Sequence, residues 1–510
     1  MKNKLSHIFH SFSSSASATH LHHPSRSSAE QVQTVDPMSL TSPANLPQSM
    51  ISSFPAELLL EIFDRVCEPP QDFEALQVAR DRHSGPLSLG GVCKQWRDIA
   101  WSSPTLWTYI YLVPLSDKCA DQAQLLDAYL GRSKGLPLTV VFRPVRPGNN
   151  QVMPLFDLIA RECYRWEAID ILIPYYLLFT RIQQGYYYLP RLRSVRTVST
   201  MTGFSRPEGF SLSFLKYATE LQKLALTGVV LPKLKDPQHY QHITHFTVSK
   251  LSCDRVLDAL DMMPNLRSCF VEDMTRSSSA TVPRVHLRRL ESFSIRNSSN
   301  AESRLFQNIL SIPMLREIEC IAGPGGHLPL VPMKSLLDQD PACRLEILEL
   351  RASQLLKTDT SFLDGLLRRT TTVSKFVLHC KEDETLSSTI GMLLNPLWPP
   401  VPPFHNRPFV ETFLDGNDPV LLPNLQNLEL YFSETDSLLP VINVIKHRWI
   451  FGSATSLDFT SSPSQGSDKQ FAKIISVRLP GWCSSEVMKE LRDEMREGLV
   501  VEFSQSLSSF

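Results

Sequence analysis

The sequence predicts an α/β protein in which a short helical segment precedes an irregular repeat region built on a parallel β-sheet. Two observations support this prediction. A short pattern of apolar residues recurs along most of the chain after residue 115, with helix-like stretches between its occurrences. Two amphipathic segments, the second of which contains tryptophan, precede the first occurrence. The predicted divisions are a Ser- and His-rich disordered tail at 1–50, the helical segment at 51–115 and the repeat region at 116–510.

The recurring pattern is an apolar residue, two variable residues, a second apolar residue, one variable residue and a third apolar residue. Leu221, Leu224 and Leu226 are one example. Successive patterns between Leu138 and Val373 begin about 22 to 30 residues apart, which is close to the roughly 20–29 residues of leucine-rich repeats. The alternation is typical of a half-buried strand. The patterns begin at Leu138, Trp166, Leu192, Leu221, Ile243, Leu266, Leu290, Leu315, Leu345, Val373, Leu425 and Ile474.

Helices are expected between these strands. The predicted helical stretches are residues 212–217, 256–263, 305–312, 362–367 and 438–445. One strand and one helix cannot bury their apolar sides alone, so successive units are expected to stack into a solenoid with a parallel sheet. A helix starting at Ser484 or Ser485 and stopped at Gly498, then a strand at 499–503, would cap the stack. The alternative is a doubly wound α/β domain, which usually carries a Gly-rich phosphate loop, and no such motif occurs.

The first helical segment begins near Ser53 with the run S-F-P-A-E-L-L-L-E-I-F-D-R-V. Ser53 is a candidate N-cap, and Pro55 is suited to the first turn. The apolar residues that follow recur at helical spacing and predict a single apolar stripe. The stripe comprises Leu58, Leu59, Ile62, Phe63 and Val66.

The second helical segment is L-S-L-G-G-V-C-K-Q-W-R-D-I-A, followed by a turn that carries Leu106 and Trp107. Its predicted apolar face comprises Leu89, Val92, Cys93, Trp96 and Ala100. About 55 residues bury too little apolar surface to form a stable core on their own. These helices are therefore expected to complete their burial against another protein or, alternatively, against the C-terminal part of their own chain.

The runs F-P-A-E-L-L-L-E-I-F and V-C-K-Q-W-R-D-I-A-W-S-S-P-T-L-W resemble an F-box over residues 53–112, most closely the expanded F-box proteins of mushroom-forming fungi. The resemblance implies a small helical unit that docks on a Skp-type adaptor, which in turn binds a cullin. The implied adaptor-binding residues are Phe54, Pro55, Leu58, Leu59, Ile62, Phe63, Val92, Cys93 and Trp96, with Leu106 and Trp107 bracing the unit.

The resemblance implies a substrate-receptor subunit of a ubiquitin ligase, located in the cytoplasm or the nucleus or both, whose repeat region holds a target protein. The alternative is a repeat scaffold that binds the adaptor without directing ubiquitination. Neither role needs a catalytic residue or a cofactor, because a receptor acts by raising the effective concentration of its target. We therefore expect no enzymatic activity, and the common nucleotide-binding, metalloprotease and serine-hydrolase motifs do not occur.

Composition argues against several other classes. Lys+Arg 51 and Asp+Glu 52 nearly cancel, so bulk charge gives no reason to expect nucleic acid or a membrane surface as a partner. No apolar run reaches the roughly 20 residues of a membrane span. The ten cysteines include no closely spaced pair of the kind that holds zinc. For the N-terminal tail, disorder is the plain interpretation and a transit peptide the alternative. Its His20, His22 and His23 suggest at most a weak metal site, and a flexible tail is the favoured interpretation. The run 397–404 reads as a stiff proline-rich loop or a proline-rich ligand.

Overall fold

The computed structural model describes residues 54–67, 85–144, 150–172, 188–198, 212–231, 237–276, 282–297, 302–323, 326–353, 357–380, 421–432, 439–452 and 472–504. These residues form a mixed α/β protein with a large parallel sheet, which confirms the predicted fold class at that level. The tail at 1–50, Ser53 and the segment 397–404 lie outside the described residues. The chain divides into two compact units, 1–165 and 166–510, and each is treated by itself.

The first unit contains five helices and two strands among its described residues. Strands β1 and β2 are parallel, with Tyr109 opposite Thr139. A 3-10 turn at Pro104–Trp107 leads from α3 into β1. The elements are α1 (Ala56–Cys67), α2 (Pro86–Val92), α3 (Lys94–Ser102), β1 (Tyr109–Leu112), α4 (Cys119–Arg132), β2 (Leu138–Phe142) and α5 (Met153–Arg161).

Among its described residues, the second unit contributes twelve strands to the large sheet, and they follow one another across it in chain order. Every strand pairing with a recorded register in this sheet is parallel. The strands are β3 (Trp166–Leu172), β4 (Ser194–Val198), β5 (Lys223–Thr227), β6 (His245–Ser249), β7 (Ser268–Glu272), β9 (Ser292–Asn297), β11 (Glu317–Ala322), β12 (Ile347–Ala352), β13 (Lys375–Cys380), β14 (Asn427–Phe432), β15 (Ser476–Pro480) and β16 (Val500–Ser504).

Helices and one short strand pair complete the second unit. Strands β8 (Val285–His286) and β10 (Ile309–Ser311) form the separate parallel pair. The helices are α6 (Cys253–Asp261), α7 (Glu302–Asn308), α8 (Leu330–Gln339), α9 (Lys357–Arg369), α10 (Leu439–Gly452), α11 (Ser484–Glu490) and α12 (Arg492–Arg496).

The apolar pattern sets the register of the sheet. The second position of each pattern lies directly opposite the same position of the next, as with Leu224 opposite Phe246 and Leu348 opposite Phe376. These side chains are at most 2% exposed. Because side chains alternate across a strand, the variable residue between the second and third apolar positions points to the other, polar face. Because the pattern repeats, each strand that carries it contributes a buried side chain at the second apolar position. Together these side chains form one column across the sheet.

Three predicted helices differ from the structure. Residues 212–217 form a 3-10 turn, and the predicted helix at 305–312 ends at Asn308. Residues 309–311 are instead a strand that pairs with β8. The Asp340 carboxylate accepts hydrogen bonds there from the Ser311 hydroxyl and the Ile312 amide, at 2.9 and 3.0 Å. The predicted terminal helix is broken at Leu491, and Gly498 follows it with a φ of +111°.

Candidate functional site

Helix α1 has two apolar faces where the sequence predicted one. Leu59 and Phe63 are 1% and 0% exposed. In the neighbouring row of the helix, Leu58, Ile62 and Val66 follow at intervals of four residues and are 49%, 45% and 46% exposed. Phe54, two residues before the helix begins, is 43% exposed. We call these four exposed residues, Phe54, Leu58, Ile62 and Val66, the exposed stripe.

The buried face of α1 completes a small core of the N-terminal helices. The core consists of Leu59, Phe63, Leu89, Ala100, Leu106 and Trp107. The expectation that Leu59 and Phe63 belong to an open docking surface is corrected by this packing, because neither side chain is accessible. Leu106 and Trp107 are likewise interior residues, at 3% and 0% exposed.

The second predicted helical segment is interrupted at Cys93. Its backbone is extended there, with φ −154° and ψ 173°, and α3 begins after it. The Cys93 thiol accepts a hydrogen bond from the Trp96 amide at 3.4 Å, so it acts as the N-cap of α3. The break divides the predicted single face: Leu89 and Ala100 are buried, whereas Val92 and Cys93 are exposed.

Trp96 occupies an intermediate position between the core and the surface. It is half-buried, and its ring meets Phe63 edge-on with centroids 4.8 Å apart. Of the predicted residues, the structure therefore leaves Phe54, Pro55, Leu58, Ile62, Val92 and Cys93 exposed. Adaptor binding by any of them stays a prediction.

Hydrogen bonds hold the helices of this unit in place. The Trp107 indole N–H donates to the Ala100 carbonyl at 2.7 Å. The Thr105 hydroxyl donates to the Asp64 carboxylate at 3.0 Å, which ties α1 to the turn before β1. Burial, and secondarily the Asp64 carboxylate, raises the pKa of the Cys67 thiol to about 11. The orientation of α1, and so the direction of its exposed stripe, is determined by these contacts.

Sequence reasoning missed one surface residue and two partly buried ones. Val66 was seen as part of the helix pattern but not as part of the surface, although its four-residue spacing from Ile62 and Leu58 carries that signal. Tyr129 and Arg132 pack against Trp107 from α4. They follow the end of the F-box-like motif, so no motif indicates them.

The polar face of the sheet in the second unit is the other surface of interest. On β11 to β16 several of its carboxylates pair with basic residues: Glu429 lies 2.8 Å from Lys375 and 3.2 Å from Arg478. Arg351 contacts Glu319 on the neighbouring strand and Glu349 on its own strand. Ion pairs thus link β11 to β12, and link β14 to both β13 and β15.

His379 and Tyr431 add an aromatic pair to the same polar face. The two residues lie opposite each other in register on β13 and β14. Their ring centroids are 5.0 Å apart, with the planes tilted by 34°. Aromatic side chains and ion pairs on neighbouring strands are suited to contacts with another protein, where aromatic residues and arginine are enriched.

Comparison of the sequence with protein-family models and with curated proteins gave no match. Among the described residues, no helix has the length and apolar character needed to cross a membrane. The same part of the chain contains no group of three or more His, Cys, Asp or Glu side chains placed to hold a metal ion.

Proposed function

We propose that this chain is a substrate-receptor subunit of an SCF-type ubiquitin ligase, in which a Skp-type adaptor links an F-box to a cullin. The exposed stripe of α1 carries this proposal. Three large apolar side chains of α1 and Phe54 just before it are exposed, next to the row of Leu59 and Phe63 that anchors the helix in its own core. The adaptor would cover the exposed stripe, and the F-box-like sequence around it supports this choice of partner.

The energetics favour a protein partner over water for the exposed stripe. Complete burial of a Leu, Ile, Val or Phe side chain is worth about 1.5–3 kcal/mol, and about half of that remains to be gained by each half-exposed residue. Four such residues supply several kcal/mol toward association. Residues at the centre of an interface usually dominate affinity, so Leu58 and Ile62 are the expected anchors.

For the second unit we propose an irregular leucine-rich-repeat-like solenoid that binds the target protein. The order of its strands supports this interpretation. In a doubly wound sheet the strand order reverses at a switch point, whereas here each strand of the large sheet lies next to its successor. The polar face between β11 and β16 is the expected target-binding region.

The adaptor part of the proposal is tested with single substitutions in the full chain. Ile62→Asp and Leu58→Asp are each expected to raise the Kd for a Skp-type adaptor by at least about 30-fold, equivalent to about 2 kcal/mol. The matched control is Val331→Asp, because Val331 is 50% exposed on α8. The control is expected to leave the Kd within twofold of the wild-type value. Binding that survives both α1 substitutions would refute the proposed surface.

Trp96→Ala is a less direct test than these two substitutions. The Trp96 ring packs on Phe63 inside the core, so its removal loosens the helical unit as well as its surface. Pro55→Ala remains a useful complement, because Pro55 is exposed and immediately precedes α1. We expect both to weaken co-purification with the adaptor.

Target turnover separates a ligase receptor from an adaptor-bound scaffold. A receptor is expected to co-purify with adaptor and cullin and to lower the abundance of its bound protein. Proximity labelling with the wild-type chain and with Ile62→Asp identifies bound proteins, and their half-lives are then compared in the two backgrounds. Unchanged half-lives for all of them would favour the scaffold.

A further inference from the structure

Helix α4 lies beyond the F-box-like motif but packs into the same core. The Tyr129 ring meets Trp107 edge-on with centroids 4.7 Å apart. Its hydroxyl lies 3.4 Å from the position that a Cβ on Gly85 would occupy. Burial, and secondarily Cys67, raises the pKa of Tyr129. Tyr129 thus lies against the turn before β1 and close to the start of α2.

Arg132 holds a second set of contacts one turn further along α4. Its guanidinium carbon lies 4.7 Å from the Trp107 ring centroid and 5.3 Å from that of Trp101. The two tryptophan rings meet edge-on, with centroids 5.3 Å apart and planes at 86°. A guanidinium against two aromatic rings is a favourable cation–π arrangement. Arg132 therefore fixes the relative position of α3 and the turn that follows it.

We propose that the adaptor-binding unit extends through α4, with Tyr129 and Arg132 as positioning residues for the exposed stripe. This inference rests on the proposed function. Arg132 and Tyr129 pack against Trp107, and Trp107 belongs to the same core as Leu59 and Phe63. Those two residues set the orientation of α1. The consequence is that residues 51–115 alone do not present the binding surface in its competent orientation.

A positioning residue has a distinct kinetic signature. If Arg132→Ala lets α1 populate other orientations, only a fraction of molecules is competent to bind, and the apparent affinity falls by that fraction. The contacts in the bound complex are unchanged, so the association rate falls while the dissociation rate stays the same. Loss of a direct contact, as in Ile62→Asp, instead acts mainly on the dissociation rate.

The test measures adaptor association and dissociation rates for full-length variants by surface binding. Arg132→Ala is expected to lower the association rate about tenfold and to leave the dissociation rate within twofold. Arg132→Lys keeps the positive charge but loses the planar guanidinium group. Its association rate is expected to lie between the rates of Arg132→Ala and the wild-type chain. The control Arg161→Ala, at an exposed position at the end of α5, is expected to change neither rate.

Near-ultraviolet circular dichroism provides a second readout, because Trp101 and Trp107 report on their own packing. Arg132→Ala is expected to alter this signal and Ile62→Asp to leave it unchanged. If Arg132→Ala does not fold, the same rates are measured for Arg132→Lys and for Tyr129→Phe, with smaller decreases in association expected. If Arg132→Ala leaves the association rate unchanged, or changes only the dissociation rate, the inference is overturned. Adaptor binding by the wild-type chain would still support the proposed function in that case. Absence of adaptor binding by the wild-type chain overturns both.

Discussion

Replacement of Gly90 by alanine is a direct test of how the N-terminal helices pack. Gly90 is buried in α2, and a Cβ built on it would lie 1.9 Å from Cζ3 and 2.3 Å from Cη2 of Trp101. An ordinary contact begins at 3.4 Å, so the indole ring has to move by about 1.5 Å. Trp101 cannot move alone, because it also packs on Trp107 and Arg132.

The expected change in the free energy of unfolding combines two destabilising contributions and one stabilising contribution. Overpacking of this kind typically destabilises a protein by about 1–3 kcal/mol. Loss of the edge-to-face contact between Trp101 and Trp107 adds about 0.5–1.5 kcal/mol. Alanine in place of glycine within a helix returns up to about 1 kcal/mol. We therefore expect Gly90→Ala to destabilise the helical unit by about 1–3 kcal/mol.

The neighbouring glycine provides the matched control. Gly91 lies in the same helix, and a Cβ built on it has no heavy atom within 4 Å. Gly91→Ala is therefore expected to be neutral or to stabilise the unit by up to about 1 kcal/mol. The same residue change one position apart should thus have opposite effects.

Hydrogen exchange followed by mass spectrometry is the appropriate assay. The chain has two compact units whose unfolding transitions need not coincide, so a single global midpoint is hard to assign. Peptides from residues 85–107 report the local opening free energy of this unit directly. Equal protection in the two variants, or greater protection in Gly90→Ala, would refute the close packing of α2 on Trp101.

Two further predictions concern thiols. Because Cys93 is exposed beside the proposed docking surface, alkylation of Cys93 in the full chain is expected to slow at least fivefold when a Skp-type adaptor is bound. In a control with an amine reagent, the exposed Lys489 on α11 is expected to react as before. An unchanged alkylation rate would place Cys93 outside the interface. Burial raises the pKa of the Cys67, Cys163 and Cys253 thiols from 9.0 to about 11. The folded state therefore holds these protons more tightly, so its free energy of unfolding is expected to stay constant below pH 9 and to fall between about pH 9 and 11. Denaturant titrations at pH 8 and 10.5 check this, and serine variants of the three cysteines should reduce the difference.

The strand positions were predictable because their signal is local and repeated. Each apolar pattern, such as that starting at Leu345, contains enough alternation to identify a strand. A one-residue slip would turn the entire buried column to the polar face, so the register is strongly specified. The strand at 309–311 was missed because its partner β8 is only two residues long and carries no such pattern.

The division of α1 into two faces was not predictable from its own sequence. Apolar residues occupy much of its circumference, so helical periodicity indicates a wide stripe but not which half the chain itself covers. The covering residues, Leu89, Ala100 and Trp107, come from segments that are more distant along the chain. Arg132 contributes to this packing through its contacts with two tryptophan rings, and such contacts produce no periodic pattern in the sequence.

Single exposed apolar side chains are common on protein surfaces and need no explanation. The described helices of the second unit fit that rule. Among their described side chains, α8, α9 and α11 each expose one large apolar residue: Val331, Phe362 and Met488.

Helix α1 departs from that rule. Leu58, Ile62 and Val66 are all exposed in one row, and Phe54 is exposed just before the helix. The neighbouring row of the helix already supplies the core with Leu59 and Phe63, so stability of the unit gives no reason for a second apolar row. Contiguous exposed apolar surface is typical of an interaction site, and the contrast with the other helices is the reason to assign the docking role to α1.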